Sequence, residues 1–222
     1  MIPLRDTQPS HTTPIITMGI ILVNVFAFFY EISLDDFSRN ELISTLGVVP
    51  RRFQPGDLIT SMFLHGGWMH LIGNMWFLWI YGDNIEDILG HTKYFLFYLL
   101  CGVAAGLVHV IFNPGSRLPT IGASGAIAGV MGAYLAKFPR SRILTLMFFF
   151  VFFTTVEIPA VIILALWFIL QIFNGVGQVG YSQASQGGVA WFAHVGGFVA
   201  GYLLINAMRP RERFLHRPDL NW

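Results

Sequence analysis

The chain has 222 residues, 55% of them hydrophobic and only 11% charged, with a formal net charge of +1. A soluble domain of this size carries about 25% charged residues, so this composition excludes a mostly water-facing surface. The small net charge argues against a nucleic-acid-binding face, and the single cysteine, Cys101, excludes an internal disulfide.

The apolar residues fall into runs, and about 20 mostly apolar residues make one bilayer-crossing helix. An all-α membrane protein is therefore expected, with six transmembrane helices. Residues 1–14 read as an N-terminal cytoplasmic tail, turn-prone at Thr13-Pro14. The first helix is predicted over 15–32 and read as retained, because no small-residue cleavage signal follows it. Residues 33–67 mix Asp35, Asp36, Arg39, Glu41, Arg51, Arg52 and Asp57 with Leu42, Ile43, Leu46, Val48 and Val49. Such an amphiphilic stretch lies on a membrane rather than hanging free of it. Helices are predicted next over 68–89 and 92–112, and Asn113-Pro114-Gly115-Ser116 breaks the chain. A fourth runs from Ser124 to Phe138-Pro139. Residues 143–155, rich in Phe and short for a span, are expected as an interfacial or partly inserted segment. The fifth helix covers 159–174, a Gly- and Gln-rich loop 175–188, the sixth helix 189–208, and a basic cytoplasmic tail closes the chain at 209–222.

Basic residues favour the cytoplasmic side. With residues 1–14 inside, that side holds Arg5, Lys93, Lys137, Arg140, Arg142, Arg209, Arg211, Arg213 and Arg217. The outer side holds Arg39, Arg51, Arg52 and Arg117. Six helices with both ends inside satisfy the rule. A seventh crossing at 143–155 would turn the basic tail outward.

Polar groups within apolar spans are costly and mark function. Three clusters stand out, all toward the outer ends of their helices: Gly122-Ala123-Ser124-Gly125, His70 with Asn74 one turn on, and Ala193-His194 with Gly197 and Gly201. Each has a structural explanation by itself. A Ser among glycines packs, His70 and Asn74 serve as interhelical hydrogen-bond partners, and His194 as a core histidine. Gly125, Gly129 and Gly132 form a small-residue stripe that admits a neighbouring helix, as do Gly197 and Gly201. Together they fit acyl transfer. Ser124 needs a base, which His194 supplies if the glycine faces bring the fourth and sixth helices together. An oxyanion needs fixed donors, available from the Ser124 backbone N–H at a helix start, the Asn74 amide and the His70 ring. No Asp or Glu lies mid-span, so a Ser–His dyad is expected. Asp83, Glu86, Asp87 and Glu157 are assigned to helix ends.

These clusters, in their order and spacing, resemble the three signature sites of rhomboid proteases over about residues 13–208. The resemblance implies a six-helix rhomboid-like bundle with a membrane-embedded first loop, cleaving transmembrane segments of single-span or polytopic membrane proteins. It implies Ser124 as nucleophile, His194 as general base, His70 and Asn74 as oxyanion-hole donors, and 175–188 as a cap over the site. No metal or cofactor is expected. Two departures are visible. Ala128 stands where some bacterial members have an aromatic packed on the histidine, and the first loop has Arg51-Arg52 without a Trp-Arg pair. A cell-membrane location is the expectation. The rival reading is a rhomboid-fold pseudoprotease that binds membrane helices without cutting them.

Overall fold

The computed structural model describes residues 2–149, 152–179 and 190–210. Among these the elements are β1 (Ile2–Asp6), α1 (Ile15–Ser33), α2 (Asp36–Leu46), α3 (Asp57–Thr60), α4 (Trp68–Leu89), α5 (His91–Phe112) and α6 (Ser124–Lys137). They continue with β2 (Arg142–Phe149), β3 (Phe152–Pro159), α7 (Ala160–Val179) and α8 (Trp191–Ala207). The six long helices predicted from the apolar runs are α1, α4, α5, α6, α7 and α8. Two of them, Ile15–Ser33 and His91–Phe112, are long and apolar enough by length and composition alone to cross a membrane.

The expectation of an all-α chain is corrected by a three-stranded antiparallel sheet, ordered β1-β2-β3. The stretch expected as an interfacial segment contributes to strands β2 and β3, which pair antiparallel with Ile143 opposite Ile158 and Phe149 opposite Phe152. β1, inside the stretch read as a tail, pairs with β2 through Ile2 and Leu146. Thr, Val, Ile and Phe favour the pleated surface, and the alternate residues Ile143 and Thr145 are buried. Apolar residues on both faces concealed this period of two. α7 runs on to Val179 through the first part of the stretch read as a loop. The rest of that cap loop, and 211–222 of the basic tail, lie outside the described residues.

Of the carboxylates assigned to helix ends, Asp83, Glu86 and Asp87 lie in the last two turns of α4, and Glu86 and Asp87 are buried. Glu157 instead lies in β3, opposite Leu144, because the segment before α7 pairs as a strand. Glu86, with no exposed surface, sits near the end of α4 and accepts from the N–H groups of Ile16 and Thr17, each at 2.8 Å, and from the Thr17 hydroxyl at 2.7 Å. The first turn of a helix has unpaired N–H groups and a partial positive charge. Glu86 meets both at the start of α1, and His91 Nδ1 lies 2.6 Å from it. Asp87 takes the His11 N–H at 3.1 Å and the Thr12 hydroxyl at 2.6 Å. Gly90, at φ 75°, makes the turn between α4 and α5.

α6 is the central helix, buried from Gly125 through Tyr134. α8 crosses it at backbone contact distance. A Cβ on Gly197 would overlap the Gly125 carbonyl, and one on Gly201 the Gly129 carbonyl. Cys101 is buried on α5 against Gly129, a packing residue as expected. In the first loop, Val48, Val49, Leu58, Met62 and Leu64 are buried, and the Asp35 side chain caps α2 by accepting from the Phe37 and Ser38 N–H groups.

Candidate active site

Ser124 is the first residue of α6, so its backbone N–H has no partner within the helix. The close α6–α8 crossing brings His194, in the first turn of α8, to it. His194 Nε2 lies 2.7 Å from Ser124 Oγ across 70 residues of sequence. The other ring nitrogen, Nδ1, lies 2.7 Å from Gln171 Oε1 of α7.

His70 and Asn74 project from α4 toward the same place. The Gly66 N–H donates to His70 Nδ1 at 3.3 Å. A backbone N–H can only donate, so in the neutral ring the proton is on Nε2. That Nε2 points at Gly122, where a Cβ would stand 2.6 Å away. Gly122 also has φ +121°, a conformation open in practice only to glycine. Its position is held by its own N–H, which donates to the Ser61 carbonyl at 2.9 Å. The Asn74 side-chain nitrogen is buried and has no hydrogen-bond partner. Two N–H donors thus flank the segment that carries Ser124. Behind them His65 packs edge-on against His70, ring centroids 5.1 Å apart, and burial pushes its imidazole down to about 4.

His70, Asn74, Ser124 and His194 line one cavity of about 710 Å³, together with Gly125, Trp167, Ala193 and the Thr120–Gly122 segment. His70, Asn74, Ser124 and His194, nominated from the sequence, are all brought together here. Gly122 shapes the wall beside His70, while Gly125, Gly129, Gly197 and Gly201 set the helix approach. Among the described residues no group of three metal-ligating side chains occurs. Chemically, the arrangement offers a hydroxyl hydrogen-bonded to an imidazole, beside donors with nothing to donate to.

A protein-family model described as a Rhomboid domain matches residues 52–211, well over half of the chain. The chain belongs to the rhomboid family. Its rhomboid domain is similar to that of "RHOMBOID-like protein 6, mitochondrial" from Arabidopsis thaliana, 33% identical over 157 residues, covering 70% of this chain and 45% of that protein. "RHOMBOID-like protein 5" from the same plant is 29% identical over 177 residues, 77% of this chain and 52% of its own. "Presenilin-associated rhomboid-like protein, mitochondrial" from Bos taurus is 30% identical over 127 residues, 56% of this chain and 33% of its own. The chain spans about half, or less, of the length of these curated relatives.

Two site residues of this rhomboid domain escape the sequence reading, Gln171 and Trp167. The Trp167 ring is 5.7 Å from His194, tilted by 35°, so an aromatic from α7 flanks the histidine while Ala128 is buried on α6. A signal for Gln171 exists, a carboxamide within an apolar helix, though Asn174 and Gln178 of the same helix share it. A search for partners of the base that admits only Asp and Glu passes over it.

Proposed function

We propose that this rhomboid domain is an intramembrane serine endopeptidase that cleaves transmembrane segments of other membrane proteins. The observation that carries the reading is the 2.7 Å contact between Ser124 Oγ and His194 Nε2. The unpartnered Asn74 amide beside it supports the same reading. In this mechanism Ser124 Oγ attacks the scissile carbonyl while its proton passes to His194 Nε2. The oxyanion is met by the Ser124 N–H, the Asn74 amide and the His70 Nε2–H. His194 then gives its proton to the leaving amine, and water repeats the sequence on the acyl-enzyme. No step calls for a metal or cofactor.

The substrate is a membrane helix of a single-span or polytopic protein, entering laterally from the lipid. It must unwind locally, because an intact helix holds its carbonyls in i to i−4 hydrogen bonds. Six membrane helices fit the surface. Phe26 on α1, Phe173 on α7 and Leu203 on α8 are 65%, 71% and 63% exposed, and large apolar groups facing outward on several helices match lipid rather than water. α6, with 14 residues, is about 21 Å long, shorter than the hydrocarbon core of about 30 Å. Wrapped by its neighbours, it sets Ser124 below the membrane surface. The first loop, with Phe37 and Ile59 exposed, lies in the same apolar layer.

We place residues 1–14 and 209–222 on one side, the cytoplasmic one for a chain in the cell membrane. Two of the relatives carry mitochondrial names, which makes an organellar membrane the competing address. Fractionation of tagged chain separates the two.

The test is labelling of purified protein by a fluorophosphonate in liposomes, paired with cleavage of a reporter membrane helix. Wild type should label and cut, and Ser124→Ala and His194→Ala should do neither. Cleavage that persists in Ser124→Ala would sink the assignment. A folded wild type that neither labels nor cuts but still retains membrane helices would establish the pseudoprotease reading.

A further inference from the structure

The proposed Ser–His pair has a neighbour that does more than fill space. Gln171 of α7 is 6% exposed. Its two polar atoms have different partners. Nε2 donates to the Trp167 carbonyl at 3.3 Å, one turn back on its own helix. Oε1 lies 2.7 Å from His194 Nδ1. The reverse amide orientation would set Oε1 against the Trp167 carbonyl oxygen and lose that bond. The carbonyl of α7 therefore decides which end of the carboxamide meets the histidine.

A carboxamide oxygen only accepts, so Nδ1 must be the nitrogen that carries the ring proton. Nε2 is then left with a lone pair, and it is Nε2 that stands 2.7 Å from Ser124 Oγ. The opposite tautomer would aim an N–H at the serine and could not take its proton. Trp167, 5.7 Å away by ring centroid, flanks the imidazole. On the reading that His194 is the base for Ser124, we infer that Gln171 is its positioning residue, holding the tautomer and ring angle needed for proton transfer. The chain thus has a Ser124–His194–Gln171 triad in which a neutral acceptor stands where soluble serine hydrolases place a carboxylate. The physical reason is local. A buried carboxylate within an apolar helix is costly, whereas a carboxamide supplies the acceptor without a charge.

The experiment uses the full chain in detergent micelles, as wild type, Gln171→Met and Gln171→Glu. Two quantities are read, the rate of fluorophosphonate labelling and the His194 tautomer by ¹⁵N NMR. Met keeps the volume and removes the acceptor. A neutral Glu keeps Gln's pattern of one donor and one acceptor. Labelling of Gln171→Met should slow by roughly 10- to 100-fold, the effect of losing a partner that orients a metal-ligating histidine and less than the loss of a charged orienter. Gln171→Glu should recover to within a few-fold of wild type. The wild-type ring should show its proton on Nδ1, and the Met variant a mixture of tautomers. The inference is overturned by a Met variant that labels at the wild-type rate, by a folded Glu variant as slow as Met, or by a wild-type ring protonated on Nε2. A wild type that never labels overturns the hydrolase reading instead, and the NMR tautomer still decides the role of Gln171.

Discussion

Ser124 and His194 are 70 residues apart in sequence and share a 2.7 Å contact, so each is worth little without the other. Removing the hydroxyl should leave no measurable turnover. The donors should behave differently. On the proposed mechanism, His70→Ala and Asn74→Ala each delete one donor for the oxyanion, and each should lower kcat by ~10² to 10³ with little change in KM. Steady-state cleavage of a reporter helix checks this, and an effect confined to KM would mean that these groups bind substrate instead. Gly122 belongs to the same argument, because its φ of +121° and the His70 ring exclude a side chain. Gly122→Ala should destabilise the fold by about 1–3 kcal/mol, the usual range for a strained backbone position, and displace His70. Thermal unfolding and labelling should therefore fall together. His70, Asn74, Ser124 and His194 were legible in the sequence because a polar group in an apolar run stands out. Gln171 was equally visible, but its purpose depends on which face of α7 turns toward α8, and periodicity in a nearly uniform apolar helix does not say.

Among the elements, the α6–α8 crossing is held by absence of side chains. Gly201→Leu would drive a side chain into the Gly129 backbone, whereas a Cβ on Gly19 of α1 would meet nothing within 4 Å. The first substitution should abolish labelling and lower the unfolding temperature, and Gly19→Leu should leave both near wild type. Equal tolerance would mean that the helices do not meet at the glycines. β1 offers a second test. The Tyr134 hydroxyl donates to Asp6 Oδ2 at 2.6 Å, and burial pushes the Asp6 carboxyl from 3.8 up to about 7. A raised folded-state value favours the neutral acid, so this contribution to β1 docking is present below about pH 4 and is lost as pH rises through about 7. Hydrogen exchange in β1, corrected for intrinsic rates, should quicken from pH 5 to pH 8. In Asp6→Asn that extra dependence should vanish. Neither β1 nor the β2–β3 pair was read from the sequence, because strand pairing is a long-range property and Phe-rich strands apolar on both faces lack an alternating pattern.

For the whole molecule, the prediction concerns sidedness. Arg117 precedes α6, and Arg140 follows it. A cysteine at either position, in a chain whose own Cys101 is buried, should react with a membrane-impermeant maleimide from opposite sides of sealed vesicles. Labelling of both from one side would overturn the six-crossing arrangement. The outward-facing Phe26, Phe173 and Leu203 give the bundle a surface that lipid solvates and water does not. The interior carries the polar groups, and on the proposed function the cavity of about 710 Å³ is where water and a substrate backbone would meet them.

Composition and the lengths of apolar runs determined by themselves that this chain is mostly helical, and roughly where each long helix begins, because apolar run length reads directly from residue type; two of those helices are long and apolar enough to cross a membrane. Local spacing determined that His70 and Asn74 share a helix face and that Ser124 opens a helix. Only the tertiary structure decided the rest. Whether Ser124 meets His194 depends on how closely α6 and α8 approach. The Gln171 contact depends on how α7 is turned, and the burial of Glu86 on its reaching the first turn of α1. Each of these joins groups from distant parts of the chain, and a linear pattern holds no record of which faces will meet.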